Sequence, residues 1–200
     1  DYCRRWIAHQ TSKKRVIITQ AEIDAIKGMA DRIAGNQTII DLLRGRIERS
    51  AVIRDKTGVW LKTRPDSIPA DTVICDLKIT ADASPRAIGR RIMDFGYLQQ
   101  AALSITVLET LLSHKISDVV LLFMEPKYPF AWNIKPLDNG DVYLAMRQNR
   151  RAIDTFAEAI KTGHWPTYAD SMSTYSAPVG WSNWLEKDPT LPKLAKGATL

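Results

Sequence analysis

Asp66, Asp76 and Lys78 are the residues whose types and spacing point most directly to chemistry. The segment Lys62-Thr-Arg-Pro-Asp66 is followed, after nine residues, by Asp76-Leu-Lys78. Strand side chains alternate between faces, so Asp76 and Lys78 share one face of a strand over Thr72–Ile79, while Val73, Cys75, Leu77 and Ile79 share the other. An antiparallel hairpin turning near Pro69 would set Asp76 opposite about residue 64. Asp66 is then a diagonal neighbour, roughly 7–8 Å away. Two carboxylates so placed can reach one divalent cation, and hard oxygen donors select Mg2+, with Mn2+ as a second choice. A lysine beside them can orient a metal-activated water or neutralise charge on a phosphate oxygen, which is what phosphodiester hydrolysis needs. A surface Asp–Lys pair also accounts for Asp76 and Lys78 without chemistry.

The elements that must position these residues follow from periodicity. Residues 1–18 are basic and irregular and are assigned no fixed structure. Thr19 and Glu22 form a capping box, followed by apolar positions Ile23, Ile26, Met29, Ala30 and Ile33 at helical spacing. A second helix is expected from about Gln37 to Arg46. Ser50–Arg54 and Gly58–Arg64 read as a hairpin closed at Asp55–Gly58, and Pro65–Ala70 as a turn. Ser84-Pro85 starts a long helical stretch to His114, interrupted near Gly96. Val119–Met124 is wholly apolar and reads as a central strand, and Ala131–Pro136 as another. A turn at Asp138–Gly140 precedes a helix to about Lys161, stopped by Gly163. This order of helices, a three-stranded meander, helix, strand, strand and helix predicts an α/β sandwich with a mixed sheet and helices on both faces. A single domain over residues 1–200 is expected, with residues 186–200 as a flexible tail.

Composition narrows the function. The chain of 200 residues carries a net charge of +6, which favours an anionic partner such as nucleic acid. Arginines and lysines cluster at Lys13–Arg15, at Arg44/Arg46/Arg49, at Arg86/Arg90/Arg91 and at Arg147/Arg150/Arg151. Two cysteines, Cys3 and Cys75, cannot build a four-cysteine zinc or iron–sulfur site. Cys75 reads as a small buried hydrophobe, and a reducing, cytoplasmic location is expected. No apolar run is long enough to span a bilayer, so no membrane partner is expected. The start at Asp1 rather than Met points to a fragment whose N-terminal part is missing.

Several ordered segments carry a family resemblance. They are Gly58-Val-Trp-Leu-Lys-Thr-Arg-Pro-Asp66, Asp76-Leu-Lys-Ile-Thr-Ala-Asp-Ala-Ser84, Phe95-Gly-Tyr-Leu-Gln-Gln-Ala-Ala102, Met124-Glu-Pro-Lys-Tyr-Pro129 and Gly163-His-Trp-Pro-Thr-Tyr168. Together, over about residues 15–184, they resemble the exonuclease VIII (RecE)-like, phage-type nucleases of the PD-(D/E)XK superfamily. The resemblance implies a restriction-endonuclease-like core. It makes Asp66 and Asp76 metal ligands, completed by the backbone carbonyl of Leu77, and Lys78 the catalytic lysine. Tyr97 and Gln100 match a Tyr-x-x-Gln element on the helix beside the site, in contact with DNA phosphate or positioning Lys78; core packing is the other reading of Tyr97. Arg64 joins them as a DNA-binding or supporting residue. Glu48 aligns with an acidic residue of many relatives, or is a solvated helix-end glutamate. Where the resemblance places a tyrosine, this chain has Ser104. It also implies a metal-ligating histidine on an upstream helix, and none of His9, His114 and His164 matches it. Glu125 reads as a cap on nearby backbone. Trp165, Trp181 and Trp184 read as anchors of the C-terminal segment.

The implied activity is Mg2+-dependent digestion of linear double-stranded DNA from 5′ ends, in phage-type recombination inside a bacterial cell. A ring-shaped homo-oligomer and a single-strand annealing protein are the implied partners. A DNA endonuclease of the same superfamily, or a catalytically silent DNA-binding protein, are the alternatives.

Overall fold

The computed structural model describes residues 1–165, and within them the central strand predicted from its apolar run organises everything else. That strand, β6 (Asp118–Met124), is flanked by β5 (Val73–Ile79) and β7 (Trp132–Pro136); β4 (Ser67–Ala70) and the two-residue β1 (Arg46–Ile47) extend the sheet beyond β5. The five strands run in the order β1-β4-β5-β6-β7, and β5 and β6 are parallel while the other pairs are antiparallel. The sheet is therefore mixed, as expected. A parallel pair needs a crossover. Here α4 (Pro85–Asp94) and α5 (Tyr97–Leu112) make it. They are separated where predicted, at Gly96, which adopts φ +63°. Ser84 caps α4 by accepting from the Ala87 amide, with Pro85 in the first turn.

Both faces of β6 are buried, which explains its unbroken apolar run. Leu122 and Met124 pack with Cys75 and Leu77 against α3 (Gln37–Leu42) and α2 (Gln20–Ile33), through Ile39, Met29 and Ile33. On the opposite face Val119 and Ile74 pack beneath α5, through Ala101, Ala102 and Ile105. Each Val, Leu, Ile or Met side chain among them contributes about 1.5–3 kcal/mol when taken out of water. α6 (Asn139–Thr162) lies against α5.

Several expectations are corrected. Residues 1–18 are not structureless: α1 spans Tyr2–Ser12, capped by Asp1. None of its side chains is buried, so no periodic apolar stripe announced it. The helix expected from Gln37 to Arg46 ends at Leu42, and Arg46 opens β1. The meander is divided: β2 (Ala51–Arg54) and β3 (Trp60–Thr63) form their own two-stranded sheet over α5. Arg150 of α6 holds that hairpin through both oxygens of Asp55, at 2.7 and 3.1 Å, which keeps the Asp55 carboxyl well below the usual carboxylate range. The stretch read as a turn, Pro65–Ala70, contains β4. Proline argues against a strand because it has no N–H to donate. At Pro69 that donor is not needed, because β1 pairs with β4 only at Ser67 and Ile68, and the β4–β5 register is irregular between Ser67 and Ala70. The connection to β5 thus falls at Asp71-Thr72 rather than at Pro69. Asp138 is not in a turn before α6 but is its N-cap, accepting from Gly140 and Asp141.

The chain divides into a unit Asp1–Gly163 and a second from His164. Of the second, only His164 and Trp165 fall among the described residues, so the expected flexible tail and the anchoring roles of Trp181 and Trp184 lie outside them. Among the described residues no helix is long and apolar enough to cross a membrane.

Gly28, inside α2, faces the ring of Phe130 from the β6–β7 connection. A Cβ there would lie 2.2 Å from Phe130 Cζ. Alanine is the better helix former by about 1 kcal/mol, so two effects oppose each other. Gly28→Ala is expected to destabilise the intact chain by up to about 2 kcal/mol, because overpacking costs about 1–3 kcal/mol and the helix gain offsets about 1 of it. In a Phe130→Ala background the same change should stabilise. Urea denaturation of the four proteins measures both; a stabilising Gly28→Ala in the intact chain would show that Phe130 does not seat on α2.

Candidate active site

The site lies where the β4–β5 pairing stops. The last regular pair is Ser67↔Cys75, and one step further that register sets Asp66 level with Asp76. The sequence-derived pairing was thus two residues out of step, because β4 turns later than expected. The correction brings the two carboxyls close enough for Asp66 to bear on the charge of Asp76. The Leu77 amide donates to Asp66 Oδ2 at 2.7 Å. Within a strand the N–H and C=O of one residue leave on the same side. The Leu77 carbonyl therefore also points toward the Asp66 side, clear of the β5–β6 pairing.

Asp76 is 7% exposed. Its Oδ2 accepts from Gln100 Nε2 at 2.8 Å and is ion-paired with Lys78 Nζ. Lys78 Nζ in turn donates to Gln100 Oε1 at 3.0 Å. The Gln100 carboxamide thus joins acid and base in a closed triangle. The Lys78 ammonium also lies 4.5 Å from the Tyr97 ring centroid, where the ring's quadrupole attracts a cation. Tyr97 packs beside Phe123 as well, so its ring contacts both the core and the Lys78 ammonium. Tyr97 and Gln100 share one face of α5, as their spacing of three residues requires.

Burial pushes the Asp76 carboxyl up to about 6; the hydrogen bond with Asp66 adds to this, and Lys78 opposes both. Two unit charges 4 Å apart repel by about 4 kcal/mol at an effective dielectric of 20. Lys78 offsets part of that repulsion through its ion pair with Asp76. Two adjacent carboxylates and an outward backbone carbonyl form a hard-oxygen donor set, and that set fits a small divalent cation. Among the described residues no cluster of three or more His, Cys, Asp or Glu side chains is present, so a cation held here would have only those two side chains and backbone from this unit.

The remaining expected residues fall as follows. The Glu48 amide donates to the Asp66 carbonyl at 3.0 Å, with Glu48 at φ +51°, so its backbone adjoins the site. Its carboxylate, however, pairs with Arg64 Nε at 2.8 Å. Arg64 and Glu48 are both half-exposed there. Ser104, standing where the resemblance places a tyrosine, donates to the Gln100 carbonyl at 3.0 Å and lies 2.6 Å from Thr63 Oγ1. That buried hydroxyl pair fastens the end of β3, just before Arg64-Pro65-Asp66, to the turn of α5 that bears Gln100. Nothing in a separation of 41 residues announced it. Glu125 accepts from the Ala83 amide at 2.7 Å, the backbone-capping role expected of it. His114 Nε2 contacts the Asp71 carbonyl, at the opposite end of β4 and β5 from the carboxyls. His9 lies exposed on α1.

Comparison with known proteins bears on the family and the fold. The family described as "PDDEXK-like domain of unknown function" matches residues 3–177. Among solved structures, a protein of Eubacterium rectale provisionally described as an exonuclease superposes with a TM-score of 0.63 at 16% identity, covering 84% of this chain and 69% of its own. A second, SSO0001, reaches a TM-score of only 0.35 at 13% identity over 75% of this chain and 71% of its own, too low for any argument. No curated protein matches the chain.

A carboxyl raised in the fold binds its proton more tightly there than in the unfolded chain. Its contribution is full below the ordinary carboxylate range, near pH 4, and is lost as pH rises through about 6. Without divalent metal, Asp76→Asn should therefore gain stability relative to the parent chain between pH 4 and pH 7. Added Mg2+ should raise the melting temperature of the parent at pH 7 and leave the variant unmoved. Calorimetry in EDTA and in Mg2+ measures both; a stability difference that stays flat across this pH window would exclude a raised Asp76.

Proposed function

Since the chain belongs to the PDDEXK-like domain family over residues 3–177, we propose that it is a Mg2+-dependent exodeoxyribonuclease that digests linear double-stranded DNA, in the 5′→3′ direction. The observation that carries this reading is the meeting of Asp66, Asp76 and Lys78, with the Leu77 backbone between them, at the open end of the β4–β5 pair. Asp66, Asp76 and the Leu77 carbonyl would hold Mg2+, with Mn2+ as a substitute. The bound cation would acidify a water and offset charge on the phosphate. Lys78 holds its ammonium against Asp76 and Tyr97, where it can donate to a phosphate oxygen or orient the attacking water. Gln100 fixes the spacing of that acid and base, and Ser104 fixes Gln100. The net charge of +6 supports an anionic polymer as substrate, with Arg64 among the backbone contacts.

The wider setting is part of the same proposal. The chain acts in the cytoplasm of a bacterial cell, from a phage or prophage gene, as a ring-shaped homo-oligomer that encircles duplex DNA and delivers its 3′ strand to a single-strand annealing protein. An internally cutting endonuclease uses the same three residues, and a closed circular substrate separates the two.

End-labelled linear duplex and closed circular duplex are incubated with Mg2+ or with EDTA. Mg2+-dependent loss of the linear DNA alone, with the 5′ label released as mononucleotide, is the expected result. Asp76→Asn and Lys78→Ala should each lower the rate by at least about a hundredfold, the scale of losing a positioned catalytic group. Cutting of the circle would make the protein an endonuclease, and no cleavage of either DNA would leave a binding protein.

A further inference from the structure

Lys78 is the inner end of a stack of rings and cations that leads away from the carboxyls. Its ammonium lies 4.5 Å from the Tyr97 ring. Tyr97 stacks on Phe95 with centroids 5.8 Å apart and planes inclined by 22°. The Arg91 guanidinium lies 5.0 Å from the Phe95 ring. The stack opens into a cavity of about 400 Å³ along α4, lined in part by Arg86, Arg90, Arg91 and Phe95. Arg86 and Arg90 are one helical turn apart on the same exposed face. Arg91 Nε is buried without a hydrogen-bond partner. The lining carries three guanidiniums against the carboxylates of Asp82 and Asp94, and Asp82 already accepts from the Ser84 amide at 2.7 Å. Phe95 is 60% exposed and Met93 beside it 69%, large apolar surface amid cations.

We infer that this cavity holds an unpaired nucleotide of the strand under attack, with its base against Phe95 and its phosphates on Arg86, Arg90 and Arg91. The inference rests on the nuclease reading above, and adds how the strand is presented. An exposed ring flanked by guanidiniums is the combination that binds single strands, because every base has a stacking face and every linkage a negative charge. A base inside a duplex has both faces covered and a terminal paired base has its edge covered by its partner, so a ring and three guanidiniums in one cavity fit best a base that has left the stack. The column from Phe95 through Tyr97 to Lys78 sets that nucleotide next to the scissile phosphate. The cavity therefore favours frayed or single-stranded ends over blunt ones.

Fluorescence anisotropy in EDTA, with a labelled single strand and a blunt duplex of the same sequence, tests this on the whole chain. Phe95→Ala should weaken single-strand binding about tenfold, the scale of losing one stacking platform, and change duplex binding much less. Phe95→Trp should retain parent affinity, and thermal melting confirms that each variant folds. The Arg86→Ala/Arg90→Ala pair should flatten the dependence of log K on log salt by about 1.4, at ~0.7 per phosphate. Parent-like single-strand binding by Phe95→Ala, or equal weakening of both DNAs, would overturn the cavity assignment while cleavage by the parent chain left the nuclease reading standing. A parent chain that neither binds nor cuts either DNA would overturn both.

Discussion

Two carboxyl groups held against each other at the edge of an apolar sheet are the constraint around which this fold is arranged. Asp76 is on a strand buried on both faces, and Asp66 reaches it only because the pairing of β4 with β5 ends one step earlier. That ending releases the Leu77 amide to bind Asp66 and turns the neighbouring carbonyl the same way. Left alone, two such carboxylates repel each other. Lys78 and Gln100 compensate in part, and a divalent cation would complete the compensation. The arrangement spends stability to keep a pair of hard ligands close together, as strained or charged sites in folded proteins generally do.

The crossover supplies the rest. A parallel β5–β6 pair obliges the chain to leave the site, cross the sheet and return, and α4 and α5 are that crossing. Gly96 breaks it into two helices, so that α5 begins with Tyr97 beside the Lys78 ammonium. Gln100 follows one turn later between Lys78 and Asp76. Topology and site are thus one requirement: the helix needed for connection is the helix that orients the acid and the base.

Much of this was legible in the sequence. The alternation that separates Cys75 and Leu77 from Asp76 and Lys78 is a property of any strand, and the packing of Cys75 against Ile39 bears it out. The capping box at Thr19 and the Ser84-Pro85 start were readable because they depend on neighbouring residues alone. Register was not readable, since it depends on where β4 turns, and Pro69 masked that strand. Helix α1 was invisible to a periodicity argument because it buries nothing. The Thr63–Ser104 contact joins elements that no local pattern relates.

The outer edges of the sheet carry a further consequence. On one side β1 has two residues and is stopped by Glu48 in a left-handed conformation. On the other, β7 bears Lys135 and ends in Pro136, which has no amide to offer. Short, charged and proline-blunted edges do not template another strand. Among the described residues, helix and loop surfaces are thus better suited than the edges of this five-stranded sheet to meet another copy, and a contact made there could shift without breaking a strand ladder.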